Sequence, residues 1–245
     1  MKKQEAKELI YKFLEKQTLG DKFADTFLEL IFDKNHFYTT EDLLWWLDNK
    51  RKSCKLEVNE VNVSNLCDWN VAPSGNIQHH SGDFYSIVGV SVKNADREVP
   101  SWDQPMIKQK EMGVLGIITT VYDDTRYYIL HAKEEPGNIY KIQLSPTLQA
   151  TYSNLNQVHK GKKTLFSDLF YDLESNKNVI YKKWLAEEGG RFYLKTNLNV
   201  LLDVSNFDLK TLPEDYKPFT LSQIKEFLRY DNLINPHIRS IIAHI

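Results

Sequence analysis

Polar and apolar side chains alternate along the segment that begins at Thr147. Thr147, Gln149, Thr151 and Ser153 share one parity, while Leu148, Ala150 and Tyr152 share the other. Successive side chains of a strand point to opposite faces. The pattern therefore predicts a strand with one face in a core and the other a ladder of uncharged hydrogen-bonding groups. Solvent-facing strands usually carry Lys and Glu, so this ladder suits the wall of a site that reads hydroxyls, carbonyls or phosphate oxygens. The polar outer face of an ordinary strand gives the same pattern. Arg191 to Val204 alternates in the same way. Phe192, Leu194, Leu198, Val200 and Leu202 face one side, against Tyr193, Lys195, Asn197 and Asn199 on the other. This predicts a second polar-faced strand.

Other segments carry different periods. Residues 2–17 and 21–33 place apolar residues at helical spacing, with Gly20 between them as a stop. Thr40 precedes Glu41, Asp42 and the run Leu43 to Leu47, a capped helix start with acids in its first turn. Trp45 and Trp46 within it are expected in the core. Phe84–Val92 reads as a strand, and Gly113–Tyr122 with Arg126–Ala132 flank Asp123-Asp124-Thr125 as a hairpin. Val179, Ile180, Trp184 and Leu185 predict a helix over 178–188, stopped at Gly189. Thr220 with Gln223 forms a capping box, and Asn235-Pro236 starts a last helix with proline at its first position. The expected class is α+β: helices around a central mixed sheet, with a helical section over 1–55 and the rest, 56–245, integrated with it in one domain.

Composition narrows the function. With 245 residues the chain is long enough for a sizeable core. A formal net charge of -2 gives no general attraction to nucleic acid or to an anionic membrane. No apolar run approaches the ~20 residues of a membrane-spanning helix. Residues 1–17 are charged throughout, unlike a signal peptide, and Cys54 and Cys67 form no metal spacing and no disulfide framework. A reducing, cytoplasmic location is the expectation.

Candidate chemistry clusters before a Pro-Gly turn, in Ala132-Lys133-Glu134-Glu135-Pro136-Gly137-Asn138. A lysine and a glutamate leaving a sheet together can polarise a carbonyl and move a proton; an ordinary solvated turn has the same composition. The pair His79-His80 offers an acid or base, or a surface loop, and no third ligand accompanies it for a metal. Glu187-Glu188-Gly189-Gly190 matches the E-E-x-G end of the Nudix pyrophosphohydrolase box. The rest of that box fails: Lys183 stands for Arg, Trp184 and Ser175 for glutamates, and Leu169 for Gly. Dinucleotide-binding, nucleophile-elbow and Walker A patterns are absent from the sequence. No metal and no cofactor is expected.

Several of these stretches together resemble the NDP-hexose 2,3-dehydratase family of deoxysugar biosynthesis. The family's W-x-Q-P-x-I-x-Q-x-E-x-G-I-L-G-I is similar to Trp102 to Ile117, and its Q-A-K-x-E-P-G-N to His131 through Asn138. Its Q-L-S-P-T-V-Q-A-T-R-S-N-Y is similar to Gln143 through Leu155, its H-x-S-G-x-F-F to His79 through Tyr85, its S-E-Q-G-x-x-F to Ala186 through Phe192, and its D-N-L-V-N to Asp231 through Asn235. The resemblance runs from about Trp45 to the C-terminus. It departs at Tyr152 and Leu198, where the family has Arg, and at Leu155, where it has Tyr.

The resemblance implies a Nudix-like mixed sheet and a 4-keto-6-deoxyhexose nucleotide, dTDP-linked by preference, that loses its C2 hydroxyl. It implies catalytic roles among Lys133, Glu135 and His79. Substrate contacts would come from Trp102, Gln104, Gln143, Thr147, Gln149, Thr151, Ser153, Asn154, Arg191, Lys195, Asn197 and Asn199. Family members commonly carry two tandem modules, so a single-module chain is expected as a homodimer, functionally coupled to a ketoreductase that takes its unstable product. Two other readings remain open on the sequence: a different sugar-nucleotide enzyme of the same fold, such as a hydrolase, and a non-catalytic nucleotide-sugar-binding subunit, which the two lost cations favour.

Overall fold

The computed structural model describes residues 3–15, 21–32, 37–94, 96, 98–151 and 163–245. Two amphipathic helices, α1 (Lys3–Glu15) and α2 (Asp21–Phe32), pack on each other, and Ala6, Ala24 and Leu28 are buried. The third, α3 (Thr40–Ser53), is capped one residue earlier than its sequence suggests. Thr39, not Thr40, accepts from the Asp42 N–H, and the Asp42 carboxylate closes the box on the Thr39 N–H. Trp46 is buried and its indole donates to the Glu214 carbonyl at 2.9 Å, but Trp45 is 71% exposed. Neighbouring helical residues point about 100° apart, so the two indoles do not share one buried face.

Two sheets follow. The smaller is an antiparallel meander, β1 (Trp69–Val71), β2 (Ile77–His79), β3 (Ser86–Lys93) and β4 (Ser101–Lys108), in sequence order. Met106 is its one buried residue. Among the described residues the larger has seven strands. Along its main path β11 (Tyr216–Phe219) lies beside β6 (Thr125–Glu134), then β5 (Gly113–Tyr122), β10 (Thr196–Asp203) and β9 (Val179–Ala186). The β5–β10 pair is parallel and the rest antiparallel, so the sheet is mixed and the class α+β. Asp123 and Asp124, at φ +50° and +55°, make the two-residue turn of the β5–β6 hairpin.

The 178–188 segment is strand β9, not the helix its spacing predicts. Apolar residues in two adjacent pairs, 179–180 and 184–185, fit either period. Val, Ile, Tyr and Trp favour the pleated surface, and β9 is an edge strand on β10 whose register shifts between Leu201 and Leu202.

One face of the large sheet packs under helices. Leu115, Ile117, Leu130 and Leu144 meet Leu43 and Leu47 of α3, Ile224 and Phe227 of α4 (Leu221–Phe227), and Ile238 and Ile241 of α5 (Pro236–Ile242). Both C-terminal helices start as the sequence predicts: Thr220 and Gln223 form the capping box, and Asn235 caps α5 with Pro236 at its start. The opposite face, with Val114, Ile118, Ile129, Leu198 and Val200, is closed by two short 3-10 turns, Ser167–Phe170 and Leu209–Thr211, which carry Phe170 and Leu209, and by Leu173. Gly116 admits the Phe170 ring: a Cβ there would lie 2.1 Å from Phe170 Cε1.

The sheet divides at one end. β5 pairs with β6 from Ile118 onward, but over Gly113–Gly116 it pairs with β8 (Leu148–Thr151). β6 in turn pairs over His131–Glu134 with β7 (Ile142–Ser145). The β7–β8 hairpin is thus a wedge between two strands that are partners further along. Thr147 stands at the fork, 2% exposed. Its hydroxyl accepts from the Ile118 N–H at 2.9 Å and donates to the Ile129 carbonyl, so it bridges two strands where they part.

Candidate active site at the split end of the sheet

The split end gathers polar side chains on the helix-covered face. Gln149 is opposite Leu115 in the β5–β8 ladder, and Asn197 and Asn199 of β10 lie on the same side as Leu201, away from Leu198 and Val200. The two polar parities read from the sequence therefore face the same way. Gln149, Thr151, Lys195 and Asn197 line one cavity of about 280 Å³ together with Gly113, Phe192, Glu187 and His237.

Its floor is tightly tied. Asn197 Oδ1 accepts from the Gly113 N–H at 2.9 Å, and its Nδ2 donates to Glu187 Oε1. Gly113 leaves room for this approach, since a Cβ would come within 3.2 Å of Asn197 Oδ1 and 3.0 Å of the Ala150 carbonyl oxygen. Lys195 is 6% exposed and donates to the Glu111 carbonyl, and burial pulls its ammonium below the ordinary lysine range. Asn199 lies deeper. It bonds the Asn197 carbonyl at 3.1 Å and accepts from Ser240 Oγ at 3.0 Å, which ties α5 to β10.

Lys133 and Glu135, at the end of β6, lie beside this cavity and connect to its wall through Gln149. Glu135 Oε1 accepts from Lys133 Nζ at 3.1 Å and from Gln149 Nε2 at 2.9 Å. The Gln149 Oε1 is buried and has no hydrogen-bond partner among the described residues. A buried acceptor in this state is open to a hydrogen bond from a ligand hydroxyl or a water. Gln143 faces a neighbouring cavity of about 560 Å³, which it lines with Gly137, Asn138, Tyr230 and Arg239, and it donates to the Asn232 carbonyl at 3.3 Å.

Other candidates lie apart. Thr147 is an internal bridge and lines neither cavity. Trp102 and Gln104 are on β4 of the small sheet, where the indole donates to Gln104 Oε1 at 2.8 Å and Gln104 donates to the Gly190 carbonyl at 2.8 Å. Arg191 offers its carbonyl to the Ile107 N–H, and its side chain is 76% exposed. The strand predicted from Arg191 begins only at Thr196, since Leu194 turns to φ +52° and is 85% exposed. His79 ends β2 of the small sheet, bonded to Ser81 Oγ at 2.7 Å and packed against Trp69 and Phe84. It lines neither cavity. Ser153 and Asn154 lie outside the described residues, as does Tyr152.

Two titratable site residues have no counterpart among the sequence candidates. Glu187 was legible only as part of a broken metal box. His237 belongs to no motif, although the Asn235-Pro236 start fixes it in the first turn of α5.

An α+β fold with a lysine–glutamate pair and a polar cavity at the split end of its mixed sheet defines a candidate acid–base enzyme module. Residues 40–245 match the family model described as NDP-hexose 2,3-dehydratase, and the chain belongs to that family. It is 34% identical over 212 residues to a dTDP-4-dehydro-6-deoxy-alpha-D-glucopyranose 2,3-dehydratase of Saccharopolyspora spinosa, across 86% of this chain and 43% of that protein. It is 33% identical over 201 residues to the protein of the same name from Streptomyces violaceoruber, across 81% of this chain and 44% of that one. The chain thus spans less than half the length of these relatives. Among solved structures, an ADP compounds hydrolase aligns at a TM-score of 0.39 and 11% identity, over 65% of this chain and 83% of that one.

Proposed function

We propose that the chain is a sugar-nucleotide 2,3-dehydratase acting on an NDP-linked 4-keto-6-deoxyhexose, with dTDP the favoured nucleotide. The observation that carries this reading is the Lys133–Glu135–Gln149 chain beside a polar cavity in a member of this family. A C4 ketone acidifies the hydrogen on C3. Its removal builds negative charge on the C4 oxygen, and Lys133 supplies the positive group that stabilises it. Glu135, which accepts from both Lys133 and Gln149, sets the position of that ammonium and the local charge for the proton transfers. The C2 hydroxyl then leaves as water with a proton from an acid. The resulting enol becomes a 3,4-diketo-2,6-dideoxy sugar, with C3 oxidised and C2 reduced within one molecule. No external redox partner is required by that balance.

The supporting context is consistent with a chain that acts as one integrated unit, since α3 shares its core with the sheet. Among the described residues no helix is long and apolar enough to cross a membrane. We read the protein as cytoplasmic, as a homodimer, and as coupled to a ketoreductase that consumes its unstable product. A non-catalytic binding subunit is the second reading. Leu198, where the family has Arg, points into the apolar core and not toward the cavity.

The test is incubation with dTDP-, UDP- and GDP-linked 4-keto-6-deoxyhexoses in deuterated water, without added metal or nicotinamide, with the product trapped by reduction. Mass spectrometry is expected to show loss of one water and uptake of deuterium at C2. Binding without water loss from any of the three would put the binding-subunit reading ahead. Nucleoside monophosphate released only with added Mg²⁺ would indicate a hydrolase.

A further inference from the structure

The cavity holds one side chain that no motif assigns. His237 lines it with Gln149, Glu187, Lys195 and Asn197, and among the described residues no hydrogen bond fixes its ring. The charged groups facing it come from three places. Glu187 lies just past the end of β9, Glu135 and Lys133 lie at the end of β6, and Lys195 precedes β10. Burial holds the imidazole below the ordinary histidine range. Glu187 and Glu135 oppose that shift and Lys133 reinforces it.

A base for the C3 hydrogen must be unprotonated, must have a free lone pair and must reach the cavity. Glu135 meets these terms poorly, because Oε1 is already bonded to an ammonium and an amide, and donors to a carboxylate weaken it as a base. Glu187 is held by Asn197. His237 meets all three, and two carboxylates stand ready to stabilise the cation it becomes.

We propose that His237 is a catalytic residue that carries one proton through the elimination, taking it from C3 as a neutral imidazole and giving it to the departing C2 hydroxyl as an imidazolium. This rests on the dehydratase reading. The C3–H bond breaks, its electron pair forms the enolate at C4, and Lys133 holds the oxygen. The enolate then collapses: the C4 carbonyl re-forms, the C2–C3 double bond forms, and the C2–O bond breaks as the imidazolium delivers its proton. Water leaves and the ring returns to its neutral form. Because the two reacting groups are on adjacent carbons, a single ring serves both steps. Glu135 and Glu187 act through it as positioning residues.

The experiment compares wild type, His237→Gln and Glu187→Gln by steady-state kinetics across pH, by thermal melting, and by wash-in of solvent deuterium at C3 of recovered substrate. In His237→Gln, kcat is expected to fall by about 10²–10⁴-fold with KM changed by no more than a few-fold. Wash-in at C3 should vanish, and so should the acidic limb of the kcat/KM profile. Glu187→Gln keeps the imidazole but removes a carboxylate that favours its charged form, so its acidic limb is expected to move to lower pH. This second variant carries the test if the first does not fold. A wild type active on these sugars, with His237→Gln retaining kcat within about threefold or Glu187→Gln leaving the limb unmoved, would overturn the assignment alone. A wild type that removes water from none of them overturns the dehydratase reading, and the role of His237 with it.

Discussion

Thr147→Val is expected to destabilise the protein without acting on the substrate directly. The side chain is 2% exposed, and its hydroxyl serves the two backbone groups that the dividing sheet parts: it accepts from the Ile118 N–H at 2.9 Å and donates to the Ile129 carbonyl. Valine has nearly the same shape, so no cavity opens and no neighbour is crowded. What changes is that a buried donor and a buried acceptor lose their partner, at about 1–3 kcal/mol for each group left unsatisfied. With partial relaxation of the fork the net loss is roughly 2–4 kcal/mol. For a chain of this size that corresponds to a fall in Tm of about 5–15 °C. Urea unfolding and a thermal melt measure it. Thr147→Ser keeps the hydroxyl and should recover most of the loss, so the methyl and hydroxyl contributions separate within one series. A Thr147→Val protein within about 0.5 kcal/mol of wild type would refute the bridging role. So would unchanged stability with weakened sugar-nucleotide binding, which would return Thr147 to the ligand-contacting groups.

Lys133→Ala should remain folded and lose about 10²–10³-fold in kcat, the usual cost of removing a donor to a developing oxyanion, with circular dichroism as the control for folding. Gly116→Ala places a Cβ 2.1 Å from Phe170 Cε1, and displacing that core ring should cost about 1–3 kcal/mol in chemical denaturation. His131, stacked on Tyr216 with ring centroids 4.3 Å apart, is pushed down to about 4, first by burial and then by Lys133. The unfolded chain therefore binds a proton that the folded one refuses between about pH 6.5 and pH 4. Stability from this source is present above pH 6.5 and falls across that window by up to about 3 kcal/mol, and His131→Gln should flatten the slope in denaturation series taken at several pH values. Sedimentation at micromolar concentration is expected to give a dimer, and a monomer there would count against the homodimer.

Much of the local structure was legible. The Thr220–Gln223 box, the Asn235-Pro236 start and the Asp123-Asp124 turn follow from side chains that bond their own neighbourhood, so tertiary contacts had little to override. The 178–188 segment departs from the helix its spacing predicts because its apolar pairs satisfy both periods, and only the vacant edge of β10 decides between them. In the candidate site, the shared polarity of Gln149 and Asn197 was readable from alternation. The internal role of Thr147 was not, because a ladder read from parity treats all its rungs alike. Position along the ladder separates them: Thr147 sits at the fork, two residues before Gln149 reaches the cavity.

The sequence by itself determined the period of most elements, the parity of both polar strands and, through several ordered motifs, the family. Those properties are written in residues close along the chain. Only the tertiary structure decided which polar residues meet. β7 and β8 wedge apart β5 and β6, α5 sets His237 over the opening, and Glu187 arrives from an edge strand some fifty residues away in sequence. His79, Trp102 and Gln104 went instead to a separate sheet. Burial and charge act through distance in space, and spacing along the chain says nothing of that until the strands have paired.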